Sequence, residues 1–286
     1  MFDKFDRRNF LKTLLPLSLT AFAAKTAYSR NLIEREKIPK IGLQLYTVRK
    51  ELEKDFAGTL AKVAAIGYGE VEFAGYFNNS PQEIKTLLDK NDLTAPAAHV
   101  SLEDIRENLD KTIESALILD HKYLICGSLP AEQRRISDNY KKVAALFNRA
   151  GEKCVKAEIG FGYHNHDFEF AAIEGEIPYE ILLKETDAKL VKMELDLYWI
   201  ARAGRDPLEY FAKHPNRFAL LHVKDMDATP KKDFTEVGRG VINFREIFAR
   251  AKKAGVRHYF VEQDRTSGSP FDSIKTSYEF LKKLNF

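Results

Sequence analysis

Residues 158–165 read EIGFGYHN, a short run of β-prone residues that ends in polar side chains. Similar runs recur along the chain with starts 25 to 40 residues apart, and segments of helical periodicity lie between them. This alternation is typical of a parallel sheet with helical crossovers. The eight runs are IGLQLYT (41–47), GEVEFAG (69–75), TAPAAHVS (94–101), KYLICG (122–127), EIGFGYHN (158–165), VKMELDL (191–197), FALLHVKD (218–225) and HYFVEQD (258–264).

Eight βα repeats over residues 38–286 predict one α/β domain, a single (β/α)8 TIM barrel, which typically needs about 250 residues. The competing architecture is an open, doubly wound sheet. That fold normally has a Gly-rich loop after its first strand, and Thr47-Val48-Arg49 at this position is not such a loop. We therefore predict one barrel without an internal domain boundary.

Capping residues mark the helix boundaries between these strands. Ser80-Pro81 and Asp206-Pro207 each place a side-chain acceptor before a proline, which predicts a helix start at both positions. A glycine after the last apolar residue of a helical stripe is typical of a helix end. By that criterion, helices end at Gly67, Gly151 and Gly255.

The first thirty residues predict an export signal. The twin-arginine motif RRNFLK at residues 7–12 is followed by the apolar stretch TLLPLSLTAFAA at residues 13–24. Small residues at Ala21 and Ala23 predict cleavage between Ala23 and Ala24. We interpret residues 1–30 as a Tat-type signal peptide with a short linker, in preference to an amphipathic helix. The mature protein is then expected in the periplasm.

Composition excludes several classes of protein. The 286 residues include 45 Lys or Arg and 42 Asp or Glu, a net charge of +3. Loss of residues 1–23 would remove four basic and two acidic residues and leave +1, without the basic face that binds nucleic acid. No apolar run approaches the roughly 20 residues of a membrane span. We expect no nucleic-acid partner and no membrane span in the mature form, and a homo-oligomer stays open.

Polar residues crowd the carboxyl ends of the predicted strands, where barrel enzymes carry their active sites. Because parallel barrel strands are buried on both faces, imidazoles and carboxylates within them need a functional or electrostatic reason. Two or more carboxylates with one or two imidazoles suit a divalent ion such as Mn²⁺, Co²⁺, Zn²⁺ or Mg²⁺. Strand parity pairs His164 with His166, Glu194 with Asp196, His222 with Lys224, and Glu262 with Asp264 on common faces.

Several of these residues have structural alternatives. His99 suits a hydrogen-bonded core residue as well as a substrate contact, and His166 suits a partner that orients a metal ligand. Glu194 lies one layer deeper than its strand neighbour, where a carboxylate needs a cation such as Lys224 or His222. Asp225 and Asp264 suit either loop capping or a role in the site. The alternatives are weakest for Asp196, His222 and Glu262, because three adjacent strands carry them at matching depth.

The ordered set of motifs resembles the xylose isomerase-like superfamily of sugar isomerases and epimerases, over essentially the whole mature chain. In that superfamily Glu, Asp, His and Glu from strands 5 to 8 hold a divalent metal. His164 stands where the epimerases carry the first Glu, and its H-x-H motif with HVKD on strand 7 is similar to inosose dehydratase. The motifs are GYHNHDFEF (162–170), ELDLYWIARAG (194–204), DP (206–207), LLHVKDMD (220–227), FTEVGRGVINF (234–244) and VEQD (261–264).

The resemblance and the strand-end pattern together imply chemistry at a carbon next to a carbonyl group. One divalent ion, of undetermined identity, would stabilise the enediolate that proton abstraction forms. The predicted metal ligands are His164, Asp196, His222 and Glu262; the predicted acids and bases are Glu262, His166 and Lys224; the predicted sugar contacts are Glu72, His99, Trp199 and Glu194.

Three functions follow as hypotheses. The first is a metal-dependent isomerase or epimerase of a sugar or keto-sugar, in which the intermediate is reprotonated. The second is a keto-sugar dehydratase or lyase, for example on 3-keto-glycosides, in which the intermediate expels a β-oxygen. The third is an exported carbohydrate-binding barrel without catalysis, which predicts an incomplete metal site. A DNA-repair endonuclease activity, which also occurs in the superfamily, would conflict with the export signal and with the near-neutral charge of the mature chain.

Overall fold

The computed structural model describes residues 36–286. They form a closed barrel of parallel strands, so the predicted TIM barrel is confirmed. The predicted signal peptide at residues 1–30 lies outside the described residues. The strands are β1 (Gly42–Gln44), β2 (Glu70–Phe73), β3 (Thr94–Val100), β4 (Tyr123–Cys126), β5 (Gly160–His164), β6 (Val191–Asp196), β7 (Phe218–Val223), β8 (Asp225–Met226), β9 (Phe234–Thr235) and β10 (His258–Val261).

The barrel closes in the order β1–β10–β7–β6–β5–β4–β3–β2, and each of the eight predicted runs contains one barrel strand. The first and last barrel strands pair through Gly42 and Phe260, which completes the ring. The two remaining strands, β8 and β9, form a separate antiparallel pair in the loop after β7. This order is the one expected when every strand is followed by a crossover to its neighbour.

Helices surround the barrel and alternate with the strands. Among residues 36–286, none of them combines the length and the apolar composition needed to cross a bilayer. The helices are α1 (Arg49–Lys54), α2 (Phe56–Ile66), α3 (Pro81–Lys90), α4 (Leu102–Glu107), α5 (Leu109–Ile118), α6 (Ser137–Lys156), α7 (Pro178–Glu185), α8 (Leu197–Arg202), α9 (Pro207–Lys213), α10 (Phe244–Ala254) and α11 (Pro270–Lys283).

The predicted helix starts and two of the three predicted ends are confirmed. Ser80 forms a capping box with Glu83 at the start of α3, and the Asp206 carboxylate accepts the Leu208 N–H at the start of α9. Gly67 and Gly255 follow the last residues of α2 and α10, with φ of +120° and +102°.

The predicted helix end at Gly151 is wrong, because this glycine lies inside α6. A Cβ atom there would approach the Leu190 carbonyl oxygen to 2.6 Å. The glycine is therefore required by close packing of the helix against the segment before β6, and not by a turn.

The barrel interior has an apolar lower layer and a polar upper layer. Alternate residues of a strand point inward. On several strands, the inward residue two positions after the apolar one is an imidazole or a carboxylate. The apolar layer thus forms a floor beneath the polar one, at the carboxyl end of the barrel. Ala97, Ile125, Leu220 and Phe260 belong to this floor, and all four are buried.

His121, in the turn before β4, makes the stability of the barrel sensitive to acid. The residue is 2% exposed; its Nδ1–H donates to the Ala95 carbonyl oxygen, and its Nε2 accepts from the Tyr76 hydroxyl at 3.1 Å. Burial lowers the pKa of His121 from 6.5 to about 4. Between these values the unfolded chain binds more protons than the folded protein, so stability is lost as the pH falls below 6.5.

We expect His121→Gln to remove this pH dependence, because Gln retains a hydrogen-bond donor but does not titrate. Relative to the variant, the free energy of unfolding of the wild type should fall by up to about 3 kcal/mol from neutral pH to pH 4. Urea unfolding of both proteins across this range measures the difference. A difference that stays constant with pH would contradict the assignment.

Candidate active site

The polar upper layer is assembled by the register of the barrel strands. Asp196 at the end of β6 lies opposite His222 of β7, and His164 at the end of β5 lies opposite Glu194 of β6. Glu262 follows the last residue of β10 and its backbone N–H donates to the Val223 carbonyl at 3.3 Å. Residues far apart in sequence therefore meet at the carboxyl end of the barrel, as the strand parity predicted.

Four buried side chains converge with one donor atom each. His164, Asp196, His222 and Glu262 place these atoms within 4.8 Å of one another. The distance from Asp196 Oδ2 is 3.4 Å to His164 Nε2 and 3.8 Å to His222 Nδ1, and Glu262 Oε2 is 3.0 Å from His222 Nδ1. Metal–ligand bonds of about 2.1 Å imply separations of about 3.4 Å between tetrahedral ligands. The group therefore fits a divalent ion, and it is the set predicted from the sequence.

The tautomer of His164 supports this fit. Its Nδ1 lies 3.0 Å from the Gly127 carbonyl oxygen, which accepts only from a protonated nitrogen, so Nε2 of the neutral ring carries a lone pair. Burial, with the neighbouring His222, lowers the pKa of His164 to about 4. Nε2 then faces a carboxylate oxygen of Asp196, lone pair to lone pair. A cation between the two atoms resolves that repulsion.

His222 is held from below by a second pair of carboxylates. Its Nε2 lies 2.6 Å from Glu72 Oε2 and 3.2 Å from Glu194 Oε2, on the side of the ring away from the four-donor group. The Gln44 side-chain amide also donates to Glu72 Oε2, at 2.8 Å. An Nε2–H that donates to these carboxylates leaves Nδ1 free to act as a ligand, an arrangement common around metal-bound histidines.

Glu72 and Glu194 lie beneath the cavity and do not line it. Both carboxylates are fully buried, and Glu194 Oε2 lies 2.6 Å from His99 Nε2. Burial, opposed by His222, raises the pKa of Glu194 to about 7. With His99 and His222, the two carboxylates form a second group whose donor atoms lie within 4.8 Å of one another. In this geometry their predicted role in sugar binding is indirect, because they orient the imidazoles above them.

Lys224 is also fully buried and neutralises a cluster of carboxylates. Its Nζ lies 3.0 Å from Asp196 Oδ2, 2.6 Å from Glu262 Oε2 and 3.0 Å from Asp264 Oδ2. Although burial opposes the charge, these carboxylates raise the pKa of Lys224 well above its usual value. Lys224 does not line the cavity, whereas Asp264 and Glu262 do. Of Asp225 and Asp264, for which loop capping was the alternative to a role in the site, Asp264 thus lines the cavity.

A cavity of about 670 Å³ opens above the four-donor group, and Glu262, His99, His166 and Trp199 are among its lining residues. Two buried polar atoms, His166 Nδ1 and Trp199 Nε1, have no hydrogen-bond partner within the described part of the chain. Unpaired buried donors and acceptors are costly, so their position beside a cavity indicates contacts to a bound ligand.

A stack of rings fixes His166. Its ring stacks on Phe168 with centroids 5.2 Å apart. The Arg134 guanidinium carbon lies 3.7 Å from the centroid of the Phe168 ring. The buried Glu169 carboxylate accepts the His166 backbone N–H at 2.8 Å and the Tyr163 hydroxyl. Burial raises the pKa of Glu169 to about 7. The loop after β5 is therefore held in one conformation at the edge of the cavity.

Three supporting residues were not singled out from the sequence. Gln44 at the end of β1 holds Glu72, Asn165 Oδ1 accepts the Asp196 backbone N–H at 3.0 Å, and Glu169 anchors the loop after β5. Gln44 could have been found from the sequence, because it is a polar residue within the first predicted strand run. Asp225 takes the structural alternative, because its carboxylate accepts backbone N–H groups from the loop after β9, among them that of Gly238 at 2.9 Å.

The chain belongs to the xylose isomerase-like TIM barrel family, whose sequence profile matches residues 60–284. Inosose dehydratase of Geobacillus thermodenitrificans is 28% identical over 155 residues, which cover 48% of this chain and about half, 51%, of that protein. Inosose dehydratase of Bacillus thuringiensis is 22% identical over 270 residues, 81% of this chain and 90% of that protein.

A crystal structure of a sugar phosphate isomerase/epimerase from Parabacteroides distasonis is 30% identical, with a TM-score of 0.74 over 86% of this chain and 98% of that chain. The family therefore includes both isomerase/epimerase and inosose dehydratase members, and the resemblance inferred from the sequence motifs is confirmed at the level of the family.

We expect the four-donor group to bind one divalent ion. Asp196→Asn should weaken the binding of Mn²⁺ or Zn²⁺ at least tenfold, because it removes the carboxylate that faces both imidazoles. Titration of chelator-treated protein against a chromophoric chelator measures affinity and stoichiometry. Glu72→Gln leaves all four donors in place but removes a carboxylate that orients His222, and it should lower the metal affinity about 10- to 100-fold.

Asp187→Asn is the matched control, because Asp187 is exposed and lies before β6. Its affinity should equal that of the wild type. Wild-type affinity in Asp196→Asn would show that the ion, if bound, is held elsewhere.

Proposed function

We propose that this protein is a divalent-metal-dependent enzyme that removes a proton from a carbon next to the carbonyl group of a keto-sugar. The observation that carries the proposal is the convergence of four buried donors, within 4.8 Å of one another, beneath a cavity of about 670 Å³. The relatives are named for reactions of sugars and inososes, which supports a small sugar-like substrate.

His164, Asp196, His222 and Glu262 are the residues that would hold the ion, and Mn²⁺, Co²⁺, Zn²⁺ and Mg²⁺ are all compatible with imidazole and carboxylate donors. When bound, such an ion supplies Lewis-acid stabilisation of the negative charge that develops on a carbonyl oxygen. The identity of the ion is part of the proposal to be tested.

The remaining chemistry comes from the protein's own side chains. Glu262 lines the cavity, and we assign it as the base that takes the proton from carbon. Lys224 holds Glu262 and Asp264 on one wall through contacts of 2.6 and 3.0 Å. Its role is therefore to position these carboxylates, and Asp264 is the group on that wall that reaches a departing oxygen. His166 and Trp199 supply polar contacts to the sugar.

Of the two outcomes of proton removal, we propose elimination over isomerisation. The carboxylates among the described lining residues, Glu262 and Asp264, lie on the same wall, and the residues contributed by β5 are imidazoles. A pair of carboxylates on opposite faces of the sugar would favour proton transfer from one face to the other. A base and an acid on one wall suit removal of a proton and protonation of a leaving oxygen at the same face.

In the proposed step, the C–H bond next to the carbonyl breaks and its proton passes to Glu262. The electron pair forms a carbon–carbon double bond, and the neighbouring C–O bond breaks. Burial and the neighbouring Glu262 carboxylate raise the pKa of Asp264 to about 6, so this group can carry a proton. The departing oxygen takes that proton from the Asp264 carboxyl group and leaves as water or an alcohol. The third hypothesis, a barrel without catalysis, predicted an incomplete ligand set, and the four-donor group gives it no support.

We also propose that the enzyme works after export, from the twin-arginine motif at residues 7–12. A periplasmic enzyme meets free sugars and glycosides more readily than sugar phosphates. This favours a neutral keto-glycoside over a phosphorylated substrate.

We expect metal-loaded protein to convert a 3-keto-glycoside to an enone, with release of the aglycone alcohol. Glu262→Gln should lower kcat by about 10²–10⁴, since it removes the general base. Ultraviolet absorbance follows the enone, and chromatography follows the alcohol. Metal content is measured on the same samples, because Glu262 is also a proposed ligand.

Glu279→Gln on the exposed face of α11 makes the same chemical change far from the cavity and serves as the control. A new epimer without enone would replace the lyase with an isomerase or epimerase. If fully metal-loaded protein forms neither the enone nor a new epimer, that result would contradict the proposed function.

For export, we expect a double variant, Arg7→Lys with Arg8→Lys, to stay in the cytoplasm as the full-length precursor. The wild type should be recovered from the periplasm with an N-terminus near Ala24. Cell fractionation and N-terminal sequencing check both results. Wild-type protein that keeps residues 1–23 in the cytoplasm would contradict the prediction.

A further inference from the structure

A second cavity adjoins the one above the four-donor group. Its volume is about 610 Å³, and it lies between the carboxyl ends of β2 and β3 and the helices α4 and α5. Tyr46, Ala74 and His99 line both cavities. The barrel mouth is therefore one groove with two lobes. We name the part above the four donors the metal lobe, and the part lined by Ser101, Asp104, Asn108, Lys111, Thr112 and Ser115 the side lobe.

The side lobe offers hydrogen-bonding groups and none of the four metal donors. Asp104, its carboxylate, already accepts from the Ser101 hydroxyl at 2.6 Å and from the Asn108 amide at 3.4 Å. The cation among its lining residues is Lys111. A phosphate or carboxylate is normally held by several cations or by a bidentate Arg. The mixture of hydroxyl, amide and a single ammonium suits a neutral, hydroxyl-rich ligand.

Tyr46 stands at the boundary of the two lobes. Its side chain is 41% exposed, although it is a large aromatic residue. The Arg49 guanidinium lies 3.9 Å from the ring centroid, and Arg49 Nη1 donates to the Tyr46 carbonyl oxygen at 2.6 Å. The guanidinium thus covers one face of the ring, and the residue lines both lobes of the groove. An exposed aromatic face of this kind packs against the apolar C–H face of a sugar ring.

We propose that the side lobe binds a second, neutral sugar ring that is linked to the reacting ring in the metal lobe. Each lobe has a volume in the range of about 300–1,000 Å³ that holds a small ligand. The preferred substrate is then a keto-disaccharide or a similar glycoside, and the leaving alcohol is itself a sugar. The identity of the reacting ring rests on the proposed function, whereas the affinity of the side lobe for a sugar does not.

The test is a calorimetric titration of metal-loaded protein with unreacted parent sugars, so that no turnover is needed. Glucose is compared with maltose, cellobiose and trehalose. We expect at least one disaccharide to bind ten times more tightly than glucose. A double variant, Asn108→Ala with Lys111→Ala, should reduce that advantage to less than threefold. Ser115→Trp, which fills the lobe instead of removing its polar groups, should have the same effect.

Arg106→Ala is the matched control for the charge lost at Lys111, because Arg106 is exposed on α4 and does not line the lobe. It should keep the disaccharide advantage. Equal affinity for glucose and all three disaccharides, or an advantage that survives both kinds of variant, would overturn the proposal.

The 3-keto derivatives of the same sugars separate this proposal from the proposed function. Disaccharide preference in binding without any turnover would contradict the proposed function and support the side lobe. Turnover with the same kcat/KM for keto-glucose and keto-disaccharides, together with equal affinities of the parent sugars, would support the function and overturn the side lobe.

Discussion

The site depends on the position of His222 between two pairs of buried carboxylates. Nδ1 faces Asp196 and Glu262, while Nε2 faces Glu72 and Glu194. Charged groups are buried only when they are paired, and removal of one partner of such a pair is typically worth several kcal/mol. The ring therefore has one orientation, and although burial opposes the charge, the carboxylates on both sides raise the pKa of His222 well above its usual value. A divalent ion held by the four donors would take the place of the proton on Nδ1, while Nε2–H would continue to donate to the lower pair.

This arrangement needs a rigid and dry support. The apolar floor that includes Ile125, Leu220 and Phe260 closes the barrel below the imidazoles and carboxylates. Low polarity beneath the site strengthens the electrostatic interactions within it, and it also makes any unpaired group expensive. Lys224 pairs with the carboxylates of Asp196 and Glu262 on one wall. His99 pairs with Glu194. The same pairs that stabilise the fold thus fix the geometry of the site.

Sequence reasoning recovered the barrel because each repeat has its own strand run and helical stripe, and a period of this kind is local information. Strand parity predicted that the four residues lie near one mouth of the barrel, and the resemblance to the superfamily singled them out as the predicted metal ligands. Depth was harder to predict. Glu72 lies on β2 and Lys224 directly follows β7, but whether their side chains reach the cavity depends on the packing of neighbouring side chains. Gly151 was misassigned for a similar reason, since its cause is a contact with Leu190 on another element. The side lobe comes from loop and helix placement, which has no sequence period.

We propose that His164, Asp196, His222 and Glu262 together bind one divalent ion. The most direct test is a crystal structure of Mn²⁺-loaded protein with anomalous data collected at the manganese edge. We expect a single peak within about 2.0–2.3 Å of a donor atom from each of the four residues, His164 Nε2 and His222 Nδ1 included. A peak held by Glu72, His99 and Glu194 instead, or a four-residue group without a peak, would contradict it.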